Sequence, residues 1–190
     1  MSFSFVVITP EEPVENELQI LRSLLQMGAW RVHLRHPALG VSDLTTLLQG
    51  FTESELKRVT LSREPALLSR FPSIGYHLKE GEALSAQCQR APYLSASCHD
   101  PQRIPREVLD YVFLGPLFDS ISKPGYLGSW PKNHLPERLD TEPKRFALGG
   151  VHKDALPQLK SMGFEGAALL GSIWKARDPL LAFDEMMGAK

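Results

Sequence analysis

Eight short runs of apolar and β-branched residues recur along the chain, each with the length of a β-strand. Several of them are nearly continuous in apolar character, which is typical of parallel strands that are buried on both faces. The pattern therefore predicts eight parallel strands, at residues 3–8, 31–34, 57–61, 74–78, 93–97, 111–115, 145–149 and 166–170.

Between these runs, apolar residues recur every three or four positions, which is the period of an amphipathic helix. The spacing predicts helices over residues 14–25, 41–48, 154–162 and 173–187. Ser42 or Asp43 is a candidate cap for the second of them. Pro157 lies early enough in the third helix to be tolerated. The segments after the third, fourth and fifth strands carry only weak helical patterns.

The alternation of strand and helix indicates an α/β protein in which residues 1–190 form one domain, a compact (β/α)₈ TIM barrel. The competing architecture is an open doubly wound sheet. Dinucleotide-binding sheets of that kind carry G-x-G-x-x-G after the first strand, where this chain has VVITPEEP. The pattern therefore favours the closed barrel, with several helices shortened.

Charge and composition exclude several classes of function. The formal net charge is −1 and no long run of one sign occurs, which argues against nucleic acid as a partner. No apolar run approaches the ~20 residues that a membrane helix needs, and the first residues lack the basic segment of a signal peptide. Cys88 and Cys98 form no metal-type pair. We therefore expect a cytoplasmic protein with no membrane partner.

Polar side chains concentrate where the predicted strands end. In a barrel these ends meet at one mouth, where TIM-barrel enzymes have their active sites. The mouth is cationic and rich in hydroxyl groups although the whole chain is not, and such a local excess suits an anionic substrate. The residues concerned are His33, Arg35, His36, Ser62, Arg63, His77, Lys79, Glu80, Glu82, Ser95, Ser97, His99, Ser120, Ser122, Lys123, Gly149, Gly150, Gly171 and Ser172.

Glycines follow the seventh and eighth strands, where TIM barrels commonly bind phosphate on backbone N–H groups. Ser120 and Ser122 are candidate side-chain donors to the same phosphate, with Lys123 as the charge beside it. Simpler explanations stay open, because the glycines also suit a tight turn and the serines could bond their own loop. His77, between apolar neighbours, is either a hydrogen-bonded core histidine or a functional one.

The strand ends resemble those of the thiamine-phosphate synthase and thiazole tautomerase (TenI) family, over nearly the whole chain. DYVFLGPLFDSISK is similar to D-Y-V-x-x-G-P-V-F-x-T-x-T-K, with serines for the threonines and Lys123 retained. ALGGV is similar to A-I-G-G-I, and SASCH matches G-x-S-x-H at Ser97 and His99. The resemblance implies a TIM barrel that binds a thiazole phosphate through Ser120, Ser122, Lys123, Gly149, Gly150, Gly171 and Ser172.

The resemblance weakens at the other half of the site. Synthases of this family join a pyrimidine diphosphate to a thiazole phosphate with Mg²⁺, and the match implies Arg35, Arg63 and Ser97 as pyrophosphate ligands. Where the family has N-D-R after the third strand, this chain has LSR, so Ser62 replaces the metal-binding Asp. Glu82 stands in place of a second metal-binding Asp. Because Mg²⁺ prefers charged oxygen ligands, its implied site is incomplete.

Three functions stay open. A tautomerase-like enzyme is preferred, because the thiazole-phosphate residues are kept while the diphosphate half is eroded. Its candidate acid–base groups are His33, His77 and His99, with Lys123 beside the phosphate, although Pro116 stands where the family's tautomerase has a histidine. The alternatives are an active synthase with an altered metal site and a non-catalytic protein that binds thiazole or thiamine phosphates. Because the family is often dimeric, a homodimer is a further option.

Overall fold

Eight parallel strands close into a barrel in the order in which they occur along the chain, with the last paired to the first. The computed structural model describes residues 3–100, 108–119, 128, 135 and 142–190. Closure confirms the predicted barrel and excludes the open sheet, and every predicted strand is present within two residues at either end. The strands are β1 (Ser4–Ile8), β2 (Arg31–Leu34), β3 (Val59–Leu61), β4 (Gly75–Leu78), β5 (Leu94–Cys98), β6 (Tyr111–Leu114), β7 (Lys144–Ala147) and β8 (Gly166–Leu169).

Helices lie between the strands and are shorter than in larger barrels, as the chain length requires. Two of the connections, after β3 and after β4, hold only the 3₁₀ turns Pro65–Ser69 and Cys88–Arg90, which fits their weak helical patterns. The α-helices of the described part are α1 (Glu17–Gln26), α2 (Val41–Gln49), α3 (Glu53–Leu56), α4 (Leu156–Ser161), α5 (Gly171–Trp174) and α6 (Pro179–Gly188).

Local hydrogen bonds explain where three of these helices begin. At α2 the capping residue is Gly40, whose N–H donates to the carboxylate of Asp43. A helix at α3 was not among the predictions, although Thr52 caps it by accepting from the Glu55 N–H at 3.3 Å. At α6, Asp178 Oδ1 accepts from two N–H groups of the first turn.

The prediction of one continuous helix over residues 173–187 is wrong, because the segment forms α5 and then α6. Asp178 has extended backbone angles and Pro179 follows it at the first helical position. Proline cannot donate the backbone hydrogen bond that would continue α5, and it disfavours helical geometry in the residue before it. The pair therefore ends one helix region and starts the next.

The barrel interior is divided into an apolar half and a polar half. Inward-facing residues of β1, β6, β7 and β8 form a small apolar cluster that includes Val6, Phe113 and Phe146. Inward-facing residues of β2 to β5 are instead buried polar groups, namely Arg31, His33, Thr60, His77 and Ser95. Outward-facing strand residues pack against the helices in a larger apolar core, so the polar half is enclosed. Buried polar groups of this kind are usually hydrogen bonded within the protein.

Candidate active site at the mouth of the barrel

A cavity of about 470 Å³ opens at the carboxyl ends of the strands. One of its walls is apolar and includes Phe113 of β6 and Leu170 after β8. The other wall is polar and cationic. Six residues with a predicted catalytic or pyrophosphate-binding role line this cavity together, from four different strands and the segments that follow them: His33, Arg35, Arg63, His77, Ser97 and His99.

His77 lies in the floor of the cavity and is fixed through both ring nitrogens. Nδ1 is 2.8 Å from Ser95 Oγ and Nε2 is 3.0 Å from Ser97 Oγ, two residues further along β5. Burial, with the nearby positive charge of Arg35, lowers the pKa of His77 from 6.5 to about 3. The imidazole is therefore neutral at physiological pH. Its geometry matches the first of the two interpretations of this residue, a hydrogen-bonded core histidine.

His33 is the second buried imidazole and lies against His77, with ring centroids 5.2 Å apart. Its Nε2 is 2.6 Å from the hydroxyl of Tyr111, which also lies 3.3 Å from Thr60 Oγ1. Burial, and then the charges of His77 and Arg31, lower the pKa of His33 well below its usual value. Both buried histidines therefore lack the near-neutral pKa that suits a general acid or base.

His99, at the end of β5, has a different environment. Its side chain is 45% exposed, and Nδ1 lies 2.6 Å from the carbonyl oxygen of Gly115. Because a carbonyl only accepts hydrogen bonds, Nδ1 carries the proton and the neutral ring has its lone pair on Nε2. Nε2 lies 3.9 Å from a carboxylate oxygen of Glu80. Of the three predicted acid–base histidines, His99 is thus the one whose ring nitrogen is available to a ligand.

The two predicted arginines lie on the β2–β3 side of the mouth. Arg35 donates to Glu11 at 3.1 Å, and this pair is largely exposed. Arg63 donates to the carbonyl oxygens of His36 and Pro37, which joins the ends of β2 and β3. An anion could therefore bind Arg35 with little loss of free energy, because only an exposed ion pair would be broken. Arg63 also has a structural role.

Lys79, Glu80 and Phe113 also line the cavity, although none of them was predicted from the sequence to have a catalytic or binding role. Lys79 and Glu80 follow β4 directly, and Phe113 lies on the inward face of β6. Their position at strand ends was visible in the sequence, but their distance from His99 was not. The Glu80 carboxylate also accepts from the His99 N–H at 3.4 Å, so it contacts both the backbone and the ring of that histidine.

Gly149 and Gly150 follow β7 and pack against the segment after β6. Their φ angles are +94° and +64°, a region that favours glycine. A Cβ on Gly149 would lie 2.6 Å from Pro116 Cβ, and one on Gly150 would lie 2.3 Å from the Asp119 carbonyl oxygen. Close packing alone therefore requires both glycines, while a phosphate role stays a prediction. Ser120, Ser122 and Lys123 lie outside the described residues.

Gly171 and Ser172 begin α5, directly after the cavity-lining Leu170. Gly171 is buried. Ser172 lines a separate surface groove with His152, Lys153 and Arg177. The structure thus brings the imidazole and arginine residues of the prediction into one cavity, but it does not bring Ser172 into that cavity.

The residues implied as metal ligands do not fit Mg²⁺. Ser62 Oγ donates to the carbonyl oxygen of Leu34 at 3.2 Å. The Glu82 carboxylate accepts from the Lys79 N–H at 2.9 Å and from the Tyr76 hydroxyl at 3.1 Å, and it lies outside the mouth cavity. Within the described ranges, no three His, Cys, Asp or Glu side chains form a metal-ligand cluster. Glu82 caps the β4 loop instead.

Comparison with known proteins decides the family. The model of the thiamine monophosphate synthase family, TMP-TENI, matches residues 5–173. The chain belongs to this family. Thiamine-phosphate synthases of Prochlorococcus marinus and Vibrio campbellii are 30% and 31% identical to it over 92 and 81 residues. These matches cover 48% and 42% of this chain, but only 27% and 40% of the lengths of the two relatives.

Solved structures of other proteins share the fold of this chain. A thiamine phosphate pyrophosphorylase from Bacteroides thetaiotaomicron superposes with a TM-score of 0.76 at 23% identity, over 98% of this chain and 97% of that one. One from Pyrococcus furiosus gives 0.77 at 19% identity, over 98% and 95%. At these identities the likeness supports the fold alone. No helix in the described part of the chain is long and apolar enough to cross a membrane.

Proposed function

We propose that this protein binds a thiazole phosphate at the mouth of the barrel and catalyses proton transfer on the thiazole ring, as a tautomerase-like enzyme. The observation that carries the proposal is the orientation of His99. The Gly115 carbonyl holds the proton on Nδ1, which leaves the basic Nε2 at a cavity lined by cations. A positioned base with an open partner site is what proton abstraction requires.

The proton balance of a tautomerisation needs one group that first accepts and then donates. Nε2 of His99 would take the proton from one ring position, becoming an imidazolium, and return it at another. Glu80, 3.9 Å from Nε2, would stabilise that imidazolium while it exists. His33 and His77 stay neutral, because burial lowers the pKa of both. Their role would be to shape the cavity floor.

The two walls of the cavity suit the two parts of such a substrate. The apolar wall, with Phe113, Leu148 and Leu170, would receive a planar ring. Arg35 and Lys79 on the other wall would attract its negative charge. The phosphate would then extend toward Gly149, one of its predicted ligands.

A second candidate function is the synthase reaction itself. It is favoured by the family, by the names of both curated relatives, and by Arg35 and Arg63 at the β2–β3 side of the cavity. Two guanidinium groups could hold a diphosphate leaving group by electrostatic positioning. The replaced ligands at Ser62 and Glu82 favour the tautomerase proposal over this one.

Two assays with the same protein separate these functions. The first follows conversion of a thiazole phosphate tautomer by NMR, and the second quantifies thiamine phosphate formed from pyrimidine diphosphate, thiazole phosphate and Mg²⁺. We expect conversion by wild type and a loss of about 10²–10⁴-fold in His99→Gln, the range for removing a general base. His152→Gln is the matched control, because His152 is exposed and outside the mouth cavity.

Each other outcome changes the conclusion. Conversion no faster than in buffer would overturn the tautomerase proposal. Thiamine phosphate formed by wild type and lost in Arg35→Gln would establish the synthase function instead. No product in either assay, with a thiazole phosphate that still raises the melting temperature, would identify a non-catalytic binding protein.

A further inference from the structure

A second cavity, of about 440 Å³, lies at the end of the barrel opposite the mouth. Arg31 is the first residue of β2 and Tyr93 directly precedes β5, which places both at the amino-terminal ends of the strands. Lys57 and Arg58 precede β3, and Trp30 precedes β2. We call these five residues the basal pocket. None of them was predicted from the sequence as a site residue, because the prediction considered only the carboxyl ends of the strands, which lie at the opposite end of the barrel.

The basal pocket carries three cationic side chains and, among its described lining residues, no carboxylate. Burial lowers the pKa of Arg31, and burial together with the charge of Arg31 lowers the pKa of Arg58. Lys57 is exposed at the edge of the pocket. Like charges held close together repel one another, so this arrangement is favourable only when an anion or solvent offsets them.

Three carboxylates around the pocket have hydrogen-bond partners of their own, although the charge of Glu55 still favours the protonated form of Arg58. Glu55 forms a bidentate pair with Arg22 Nε at 3.0 and 3.1 Å. Glu53 accepts from the Ser73 hydroxyl. Asp110, whose charge favours the protonated form of Arg31, accepts from the Leu94 N–H at 2.7 Å. These contacts leave the positive charge of the pocket only partly compensated.

Arg31 is the buried member of the pocket and is held in place before any ligand arrives. Its side chain is 3% exposed, and its Cζ lies 3.7 Å from the centroid of the Tyr93 ring and 5.3 Å from that of Trp30. Nη1 donates to Thr60 Oγ1 at 3.4 Å, but the buried Nε has no hydrogen-bond partner among the described residues. A buried donor without a partner costs free energy, and an acceptor that reached Nε would remove that cost.

From this geometry we propose that the basal pocket binds a small oxyanion of the phosphate or diphosphate class, at a site distinct from the mouth. Arg31 and Arg58 supply planar guanidinium donors, although Nε and Nη2 of Arg58 already donate to the carbonyl oxygens of Trp30 and Ala29, so Nη1 of Arg58 is the group left for a ligand. Lys57 supplies an exposed charge at the entrance. The aromatic rings keep Arg31 in place, so the ligand does not have to order it. The proposal does not depend on the function of the mouth, because no residue lines both cavities.

The test uses Trp30 as a local reporter. The full chain is labelled with ¹⁵N, and inorganic diphosphate is titrated while the tryptophan indole N–H signals are followed, with the Trp30 signal assigned from Trp30→Phe. We expect a saturable shift of that signal. Lys57→Gln should weaken the apparent affinity about tenfold, because a hydrogen bond to a charged group is worth that factor. Lys57 is exposed, so the variant should fold.

Two controls separate the basal pocket from general charge effects and from the mouth. Lys160→Gln removes an exposed lysine from the last turn of α4, before β8 begins, and should leave the titration unchanged. Arg35→Gln alters the mouth and should also leave the Trp30 shift unchanged. Parallel titrations with inorganic phosphate and with ADP distinguish a free anion from a nucleotide phosphate as the ligand.

Several results would overturn the proposal. An absent shift of the Trp30 signal at millimolar diphosphate, phosphate and ADP would mean that the pocket binds no such anion. An equal weakening by Lys57→Gln and Lys160→Gln would reduce the effect to net charge. A Trp30 shift that disappears in Arg35→Gln would mean that the signal reports binding at the mouth.

Discussion

The two buried histidines make the stability of the barrel depend on pH, and His77 allows the size of the effect to be worked out. Burial in the folded chain lowers the pKa of His77 to about 3, from an ordinary value of 6.5. Between these values the unfolded chain binds more protons than the folded one. The free energy of unfolding therefore has its full value above pH 6.5 and falls as the pH decreases toward 3.

The slope for one such histidine is about 1.36 kcal/mol per pH unit inside that window. At pH 5.0 the loss from His77 is thus about 2 kcal/mol relative to pH 7.5, and it approaches about 5 kcal/mol near pH 3. His33, whose pKa burial also lowers, adds a second contribution of the same sign. Against a typical stability of about 5–15 kcal/mol, these losses are large enough to measure.

The assay is urea-induced unfolding at pH 7.5 and pH 5.0, followed by circular dichroism. His77→Gln should be less stable than wild type at pH 7.5, yet lose about 2 kcal/mol less than wild type between the two pH values. Val112→Ala is the control, because Val112 is buried in the larger apolar core on the outer side of β6, away from His77, and does not titrate. Its loss should equal that of wild type. If His77→Gln and wild type lose the same amount, His77 is not held neutral by the fold.

Two smaller changes test the local geometry. Gly150→Ala puts a Cβ 2.3 Å from the Asp119 carbonyl oxygen at a φ of +64°, so we expect a loss of about 1–3 kcal/mol in thermal unfolding and weaker thiazole-phosphate binding. Unchanged stability would mean that the turn relaxes freely. Asp178→Ala removes the acceptor for the Leu180 and Leu181 N–H groups and should cost about 1 kcal/mol, whereas Asp178→Asn, which keeps an acceptor, should cost less. Equal losses in the two variants would argue against the cap.

The strands were predictable because parallel strands buried on both faces leave nearly continuous apolar runs, as in YVFL of β6. The ends of the helices were harder to predict from the sequence. The signal for α3 was present as Thr52 with Glu55, in a stretch to which no element was assigned. The signal for α6 was present as Asp178 with Pro179, inside a stretch whose apolar spacing suggested one continuous helix. Capping chemistry, applied before periodicity, would have found both.

The sequence predicted which residues belong to the site, but not how far each of them lies below the mouth of the barrel. Alternation along a strand indicates that His33 and His77 face the barrel axis, but it does not say how far below the mouth they lie. Depth depends on the stagger of neighbouring strands, such as the pairing of His33 with Thr60 and of His77 with Ser95. That stagger decides that these two imidazoles are buried and neutral while His99 reaches the opening.

The contact between His77 and two serines of the neighbouring strand has a consequence for how the barrel assembles. Ser95 and Ser97 are two residues apart on β5, so both point inward only in one phase of the pleat. A slip of β5 by a single residue would turn them toward the helices and bring Leu94 and Ala96 against the imidazole. Both ring nitrogens would then lose their partners inside the protein. The two hydrogen bonds of His77 therefore favour the observed register between β4 and β5. Barrels in which β5 is paired out of register are disfavoured even without a ligand.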